Sequence, residues 1–261
     1  MYTQDGPKKS LGQHWLHDAG SLQAIVDAAQ LTADDTVVEI GPGLGTLTEL
    51  LIATGAKVIA VEFDEELLGF LRNKFSDAAN FTLEHADILK YDFTKLPAGY
   101  KVVANIPYYL TSHLLRLLTD SSNPPAAASL LVQKEVAERV CATPPDMSIL
   151  AVAVQLEYQA SLGVFVPAKL FTPPPKVDSQ TLVLQKHSEN RLAATEKQAV
   201  MRVVKAGFSA KRKTLRNTIS AGLQITKLEA EAALQKAQIE PGRRAETLSI
   251  LEWFALVKII A

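Results

Sequence analysis

Residues 36–62 constrain this chain more than any other stretch. A β-rich run, Thr36–Ile40 (TVVEI), ends in the turn Gly41-Pro42-Gly43-Leu44-Gly45. A helical pattern over Thr46–Ala53 follows, and then a second β-rich run, Lys57–Glu62 (KVIAVE). Two strands joined through a helix make a parallel βαβ unit. Glycines at its first turn let the backbone bend sharply and approach a ligand closely. In open α/β sheets ligands bind beyond the carboxyl ends of the strands, and two carboxylates, Glu39 and Glu62, fall at such ends.

The same alternation continues to about residue 187. Helical spacing covers Glu65–Phe75, Thr111–Thr119 and Lys134–Val140. Strand patterns cover Phe81–His85, Lys101–Ala104, Ser129–Val132 and Gln180–Gln185, while Ala151–Leu162 mixes both periods. This predicts a mostly parallel sheet flanked by helices. Beyond His187 no strand pattern occurs. Residues 192–222, 226–238 and 246–259 have helical periodicity, with turns expected at Gly222 and Pro241-Gly242. The chain therefore reads as an α/β domain, 1–187, followed by a small all-helical domain, 188–261.

Composition removes several function classes. With 48% hydrophobic and 21% charged residues the chain is globular in type. No apolar run approaches the ~20 residues of a membrane helix. Met1–Ser10 is polar and lacks the apolar core of a signal peptide, so a cytoplasmic protein without a membrane partner is expected. The single cysteine, Cys141, excludes an intramolecular disulfide and a cysteine-based zinc site; it reads as a buried small hydrophobe, and no metal is expected. The net charge of −1 conceals an asymmetry. Residues 1–187 carry 14 lysines and arginines against 21 aspartates and glutamates, and residues 188–261 carry 13 against 7. A basic second half points to a polyanionic partner.

Two cofactor classes use a glycine turn at this place. A dinucleotide site needs G-x-G-x-x-G; here the spacing is G-x-G-x-G, and Thr46 stands where the third dinucleotide glycine would be. Glu39 precedes Gly41, where a carboxylate suits a cation better than a phosphate. The E-x-G-x-G-x-G spacing, which includes Gly43, resembles the first motif of Rossmann-like class I methyltransferases and implies S-adenosylmethionine as cofactor. Glu62 is then suited to both ribose hydroxyls. Asp87, after the third strand, can accept the exocyclic amine of the cofactor's adenine or serve as a turn aspartate.

The fourth strand leads into Asn105-Ile106-Pro107-Tyr108-Tyr109. Pro107 fixes the local backbone and removes a donor, which leaves the Asn105 side-chain oxygen and the Ile106 carbonyl as acceptors. An exocyclic amine on adenine is a poor nucleophile, because its lone pair is delocalised into the ring. Two acceptors for its two N–H groups favour a more tetrahedral nitrogen and aim its lone pair at a methyl donor, a gain in positioning and electrostatics. Tyr108 is placed to stack on a flipped base.

N-I-P-Y resembles the amino-methyltransferase motif for adenine N6. Gln13-His14-Trp15-Leu16 resembles the Q-[HN]-F-L opening of ribosomal RNA adenine dimethylases, with Trp15 in place of the usual phenylalanine. Phe171 to Ser179 (FTPPPKVDS) resembles their F-x-P-x-P-K-V-[DN]-S loop. Phe208 to Asn217 and Pro241 to Glu246 resemble their C-terminal motifs. From Lys9 to about Leu251 the chain is similar to the bacterial kasugamycin-sensitivity dimethyladenosine transferase family. That resemblance implies dimethylation of two adjacent adenines in the 3′-terminal hairpin of small-subunit (16S) rRNA, late in subunit assembly, by a monomer whose partner is the small ribosomal subunit. It also implies His14, Leu16, Gly41, Glu62, Asp87 and Asn105 as cofactor ligands, and Asn105, Ile106 and Tyr108 as holders of the target base, with Phe171 as its second stacking face.

Between residues 202 and 216 lie Arg202, Lys205, Lys211, Arg212, Lys213 and Arg216, with no acidic residue among them. Such a cluster suits RNA phosphates, and Arg243 extends it. Two readings compete: a methylase of large-subunit rRNA, and a catalytically idle RNA-binding assembly factor. Against the second stand intact Glu62, Asp87 and N-I-P-Y. A dinucleotide oxidoreductase comes last, for want of a hydride-transfer site.

Overall fold

The computed structural model describes residues 12–188 and 194–260. The polar Met1–Ser10 stretch, Leu11 of the L-G-Q-H opening and residues 192–193 of the first C-terminal helical pattern lie outside the described residues. The chain divides into two compact units, Met1–Ala137 with Gln159–Lys186, and Glu138–Tyr158 with His187–Ala261.

The first unit is built on strands β2 (Thr36–Ile40), β3 (Lys57–Glu62), β4 (Phe81–His85), β5 (Lys101–Asn105), β6 (Ala127–Gln133), β7 (Tyr158–Val166) and β9 (Ser179–Lys186), with a short β1 (Trp15–Leu16) and β8 (Phe171–Thr172). The helices beside them are α1 (Ala19–Ala28), α2 (Thr46–Ala53), α3 (Glu65–Lys74), α4 (Thr111–Asp120) and α5 (Lys134–Val140). The large sheet has the order β4-β3-β2-β5-β6-β9-β7. β2 pairs in parallel with both β3 and β5, β5 in parallel with β6, and β6 antiparallel with β9. Because β3 lies on one side of β2 and β5 on the other, the winding reverses there. That is the switch point at which such sheets open a crevice.

Sequence dictates this sheet simply. Val37, Val38, Val58, Val102, Val103, Leu130 and Leu131 are all fully buried. Continuous apolar runs of that kind belong to strands covered on both faces. α1 was not foreseen, although its signal is present. Asp18 caps it by accepting from the Ser21 amide, and Leu22, Ile25, Val26 and Ala29, spaced 3, 1 and 3 residues apart, are its buried stripe. The buried Ser129 hydroxyl donates to the Ile25 carbonyl at 2.7 Å, tying α1 to β6.

The second unit contains α6 (Ile149–Gln155), α7 (Ala194–Gly207), α8 (Leu215–Leu223), α9 (Lys227–Lys236) and α10 (Ile250–Ile260). The mixed pattern at Ala151–Leu162 resolves into the end of α6 and the start of β7. Met147, Ala151, Val152 and Leu156 pack in one core with Val203, Val204, Leu215, Ile219, Leu234 and Trp253, so the helical unit draws on two stretches of chain. The helical pattern over 192–222 is two helices, broken between Gly207 and Leu215. Gly222 is no turn. It lies inside α8, where an added Cβ would come within 2.6 Å of the Ala206 Cβ; the glycine lets α7 and α8 approach closely. The turn comes at Gln224, in the left-handed conformation. The half-buried Cys141 thiol is pushed up to about 11 by burial and is inert at neutral pH.

Candidate active site

The carboxyl ends of β2, β3, β4 and β5 open into a cavity of about 280 Å³. Its wall includes all twelve residues the sequence proposed for cofactor and target base: His14, Leu16, Glu39, Gly41, Gly43, Glu62, Asp87, Asn105, Ile106, Pro107, Tyr108 and Phe171. Glu39, Gly41, Gly43, Glu62, Asp87 and Asn105 are brought together because each stands at or just after the end of a parallel strand, and His14, Leu16 and Phe171 reach the cavity through the antiparallel β1–β8 pair.

The glycine turn forms the floor. Gly41, Gly43 and Gly45 have φ of 66°, 57° and 76°, a region open to glycine at little cost. At Gly45 a Cβ would also meet the Phe75 ring at 2.7 Å. Glu62 organises this turn from the next strand. One of its oxygens accepts the amides of Phe63 (2.8 Å) and Asp64 (2.7 Å), and the other accepts that of Gly43 (3.3 Å). Burial pushes its carboxyl up, and these three amides oppose the shift. With Oε1 taking two amides and Oε2 one, Oε2 keeps a lone pair for a ligand hydroxyl. Asp87 fills the turn role weighed above and lines the cavity as well: its Oδ1 accepts the Leu89 amide at 3.0 Å.

Glu39 is 1% exposed. Its carboxyl is pushed up to about 8, chiefly by burial and further by the nearby Glu62. Its Oε2 and the buried Nε1 of Trp15 have no hydrogen-bond partner among the described residues, yet both residues line the cavity. Buried polar groups are ordinarily satisfied, so these two offer a ligand in the cavity a carboxyl oxygen and an N–H donor.

Residues 12–16 close the cavity as a strap. β1 pairs antiparallel with β8, Leu16 opposite Phe171. Gln13 donates to Asp64 at 3.1 Å, and the Thr46 hydroxyl donates to the Leu16 carbonyl at 3.3 Å. His14 Nδ1 lies 2.7 Å from the Pro173 carbonyl. A carbonyl only accepts, so Nδ1 carries the proton, and in a neutral ring Nε2 is an acceptor. The His14 ring lies near-parallel to Tyr108, 6.0 Å between centroids.

The same logic orients Asn105. Its side chain faces the His14 carbonyl at 3.2 Å, so the amide end must be Nδ2 and Oδ1 points elsewhere. The Ile106 amide is spent on the Leu131 carbonyl (3.2 Å) and Pro107 has no N–H. Asn105 Oδ1 and the Ile106 carbonyl are left as acceptors. Tyr108 is fixed by a 2.7 Å hydrogen bond between its hydroxyl and that of Ser179.

The ribosomal RNA adenine dimethylase model matches residues 5–261. The chain belongs to that family. This dimethylase accordingly acts on adenine in ribosomal RNA and takes its methyl groups from S-adenosylmethionine. It is similar to the ribosomal RNA small subunit methyltransferase A of Dehalococcoides mccartyi, 42% identical over 249 residues that cover 94% of this chain and 86% of the relative. The protein of the same description from Synechococcus elongatus is 41% identical over 263 residues, covering 95% and 93%. Among solved structures, a dimethyladenosine transferase from Plasmodium falciparum has a TM-score of 0.81 at 26% identity, covering 93% of this chain and 96% of that one. The 23S rRNA methyltransferase ErmE gives 0.78 at 26%, covering 94% and 98%.

In the dimethylase's second unit the basic residues divide. Arg202 and Lys205 lie on α7, Lys211, Arg212 and Lys213 in the loop before α8, and Arg216 on α8; all six are exposed. Arg216 contacts Glu231 at 3.2 Å. Arg243 is turned inward. Its Nε donates to Thr247 Oγ1 at 3.1 Å, and its other nitrogens donate to Glu252 and the Thr247 carbonyl. That arrangement clamps the start of α10, and the neighbouring Arg244 is the exposed one. Among the described residues no cluster could hold a metal ion, and no helix is long and apolar enough to cross a membrane.

The dimethylase's Glu39 carries a prediction with a defined sign. Its folded pKa of about 8 exceeds the ordinary 4.5. The folded state therefore binds more protons between those values, and stability falls as pH rises through that window. Glu39→Gln is expected to flatten the decline in melting temperature of the ligand-free protein between pH 5 and 8. Cofactor binding to the unaltered protein near pH 7 is expected to release a proton, because a cation beside Glu39 favours its ionised form. Calorimetry in buffers of different ionisation enthalpy reads that proton. An identical pH slope in both proteins would rule out Glu39 as its source.

Proposed function

We propose that this chain dimethylates N6 of two adjacent adenines in the 3′-terminal hairpin of 16S rRNA, acting late in small-subunit assembly as a cytoplasmic monomer. The α/β portion of 1–187 binds cofactor and target base, and 188–261 binds RNA. The observation that carries the reading is the oriented pair of acceptors, Asn105 Oδ1 and the Ile106 carbonyl, at the end of β5 beside Tyr108. Identities near 40% to proteins described as small-subunit methyltransferase A, against 26% to a 23S rRNA methyltransferase, support the small subunit as target.

The cavity suits S-adenosylmethionine. Glu39 provides a buried carboxylate for its cationic part, Glu62 the remaining Oε2 lone pair for a ribose hydroxyl, Asp87 an acceptor for the adenine amine, and Gly41 and Gly43 close backbone approach; His14 and Leu16 cover it. Bound there, the cofactor supplies an electrophilic methyl. The protein's part is to hold the target amine. Asn105 Oδ1 and the Ile106 carbonyl each accept one N–H and turn the nitrogen lone pair toward the methyl. Tyr108 and Phe171 hold the base once it has left its stack; base–aromatic stacking of this kind contributes roughly 1–3 kcal/mol. Arg202, Lys205, Lys211, Arg212, Lys213 and Arg216 meet RNA phosphates. Arg243 contributes by bracing the turn beside them, since its guanidinium is already engaged.

The test is transfer of labelled methyl from S-adenosylmethionine to small subunits lacking the modification and, separately, to large-subunit RNA, with nuclease mapping of dimethyladenine. Label on two adjacent adenines of the small subunit is expected. Label on large-subunit RNA alone, or none despite cofactor binding, would overturn the reading.

A further inference from the structure

We propose that the catalytic unit has its own phosphate clamp, formed by Lys169, Lys176 and Lys134 around the loop that carries Phe171, and that it holds the RNA backbone on either side of the target adenine. This rests on the function proposed above and adds a binding surface within the first unit.

The backbone segments that carry the three lysines are tied together at Asp178. The Asp178 carboxylate accepts the Ala168 amide at 2.9 Å, next to Lys169. The Asp178 carbonyl accepts the Lys134 amide at 3.0 Å. Lys176 lies two residues earlier in the chain, and the next residue, Ser179, hydrogen-bonds Tyr108 at 2.7 Å. The frame that fixes the Tyr108 ring therefore also roots the three lysines. Phe171 lies on the same loop, between Lys169 and Lys176.

All three lysines are exposed. Lys169 and Lys176 have no ion-pair partner among the described residues. Lys134 sits 5.6 Å over the ring of Phe165, which is 45% exposed. The acidic groups close to these lysines in the chain include Asp178, whose carboxylate accepts a backbone amide, and the exposed Glu135 and Glu138, the latter one helical turn after Lys134 on α5. Pro173, Pro174 and Pro175 stiffen the loop, so little backbone freedom is lost when the lysines engage a strand.

A nucleotide turned out of its stack carries a phosphate on each side, and both must come to the pocket mouth. Residues 1–187 bear a net charge of −7, a field that opposes a polyanion. Cations placed beside the pocket offset that repulsion where it matters, and do so independently of the basic cluster on α7 and α8.

The experiment compares the enzyme with the K169A/K176A and K169R/K176R double variants in methyl transfer to unmodified small subunits across a salt series. The alanine pair is expected to raise the KM for RNA about 5–10-fold and to reduce the salt dependence by a slope of about 1.4, two single-strand phosphate contacts. The kcat at saturating RNA and the affinity for S-adenosylmethionine should be unchanged, and the arginine pair should restore KM. An unaltered KM and slope in the alanine pair, with active parent enzyme, would overturn the clamp alone. A parent enzyme that transfers no methyl to small subunits would overturn the functional reading, and the clamp with it.

Discussion

Asn105→Ala is expected to lower the rate of methyl transfer by at least about 10²–10³-fold, the usual cost of removing one oriented polar group from a reacting centre. RNA affinity should be largely retained. The side chain does two jobs at once. Its Nδ2 donates to the His14 carbonyl at 3.2 Å and seats the strap, and Oδ1 is thereby aimed as an acceptor. Asn105→Asp separates the two: it keeps acceptor oxygens but sets a carboxylate against the His14 carbonyl. If aiming the amine dominates, Asp should retain more activity than Ala at saturating cofactor while binding cofactor less well. Single-turnover rates and cofactor titrations read the two effects apart. Loss of RNA affinity in step with loss of rate would sink this division of roles.

The second large effect concerns stability. Gly222→Val is expected to destabilise the helical unit by about 3 kcal/mol, at the upper end of overpacking costs. A Cβ at this position would approach the Ala206 Cβ at 2.6 Å and its Cα at 2.7 Å. The Cα is backbone and can yield only if the whole of α7 moves. α7 carries Arg202 and Lys205, so RNA affinity should fall, while the cofactor cavity, made wholly of first-unit residues, should bind as before. Thermal unfolding followed by circular dichroism, with cofactor calorimetry on the same sample, checks both. An unchanged melting temperature would show that the two helices can part without cost.

Much of the α/β half was legible because its signals are local. The strands β2 and β3 and the helix α2 fall on the runs that their sequences mark, since apolar β-branched stretches bounded by glycine leave few alternatives. The cavity was legible for the same reason: its chemistry stands at strand ends, so one βαβ rule places Glu39, Glu62, Asp87 and Asn105 together. What escaped depends on contacts remote in sequence. β1 and β8 are two-residue strands that exist only because they pair with each other. The Gln13–Asp64 bond spans 51 residues. Trp15 stood out as a motif residue, but its unpartnered Nε1 is a property of the folded cavity. Gly222 misled because a glycine near a helix end reads as a stop, whereas here the pressure comes from a neighbouring helix. The unbroken periodicity of 192–222 likewise hid the loop at Phe208–Thr214, where Lys211, Arg212 and Lys213 sit.

The helical core has a consequence for anyone wishing to cut the molecule. Met147, Ala151, Val152 and Leu156 reach that core from a segment that lies between β6 and β7 in the chain. A fragment ending at residue 187 would keep this segment and lose every helix that covers it, laying bare four apolar side chains. Such a fragment should aggregate even though its cofactor cavity is complete. A soluble minimal enzyme would need residues 138–158 replaced by a short polar connection as well as the tail removed. Inheritance is bound by the same wiring: the two units cannot be exchanged between relatives by a single crossover, and a productive swap needs three junctions.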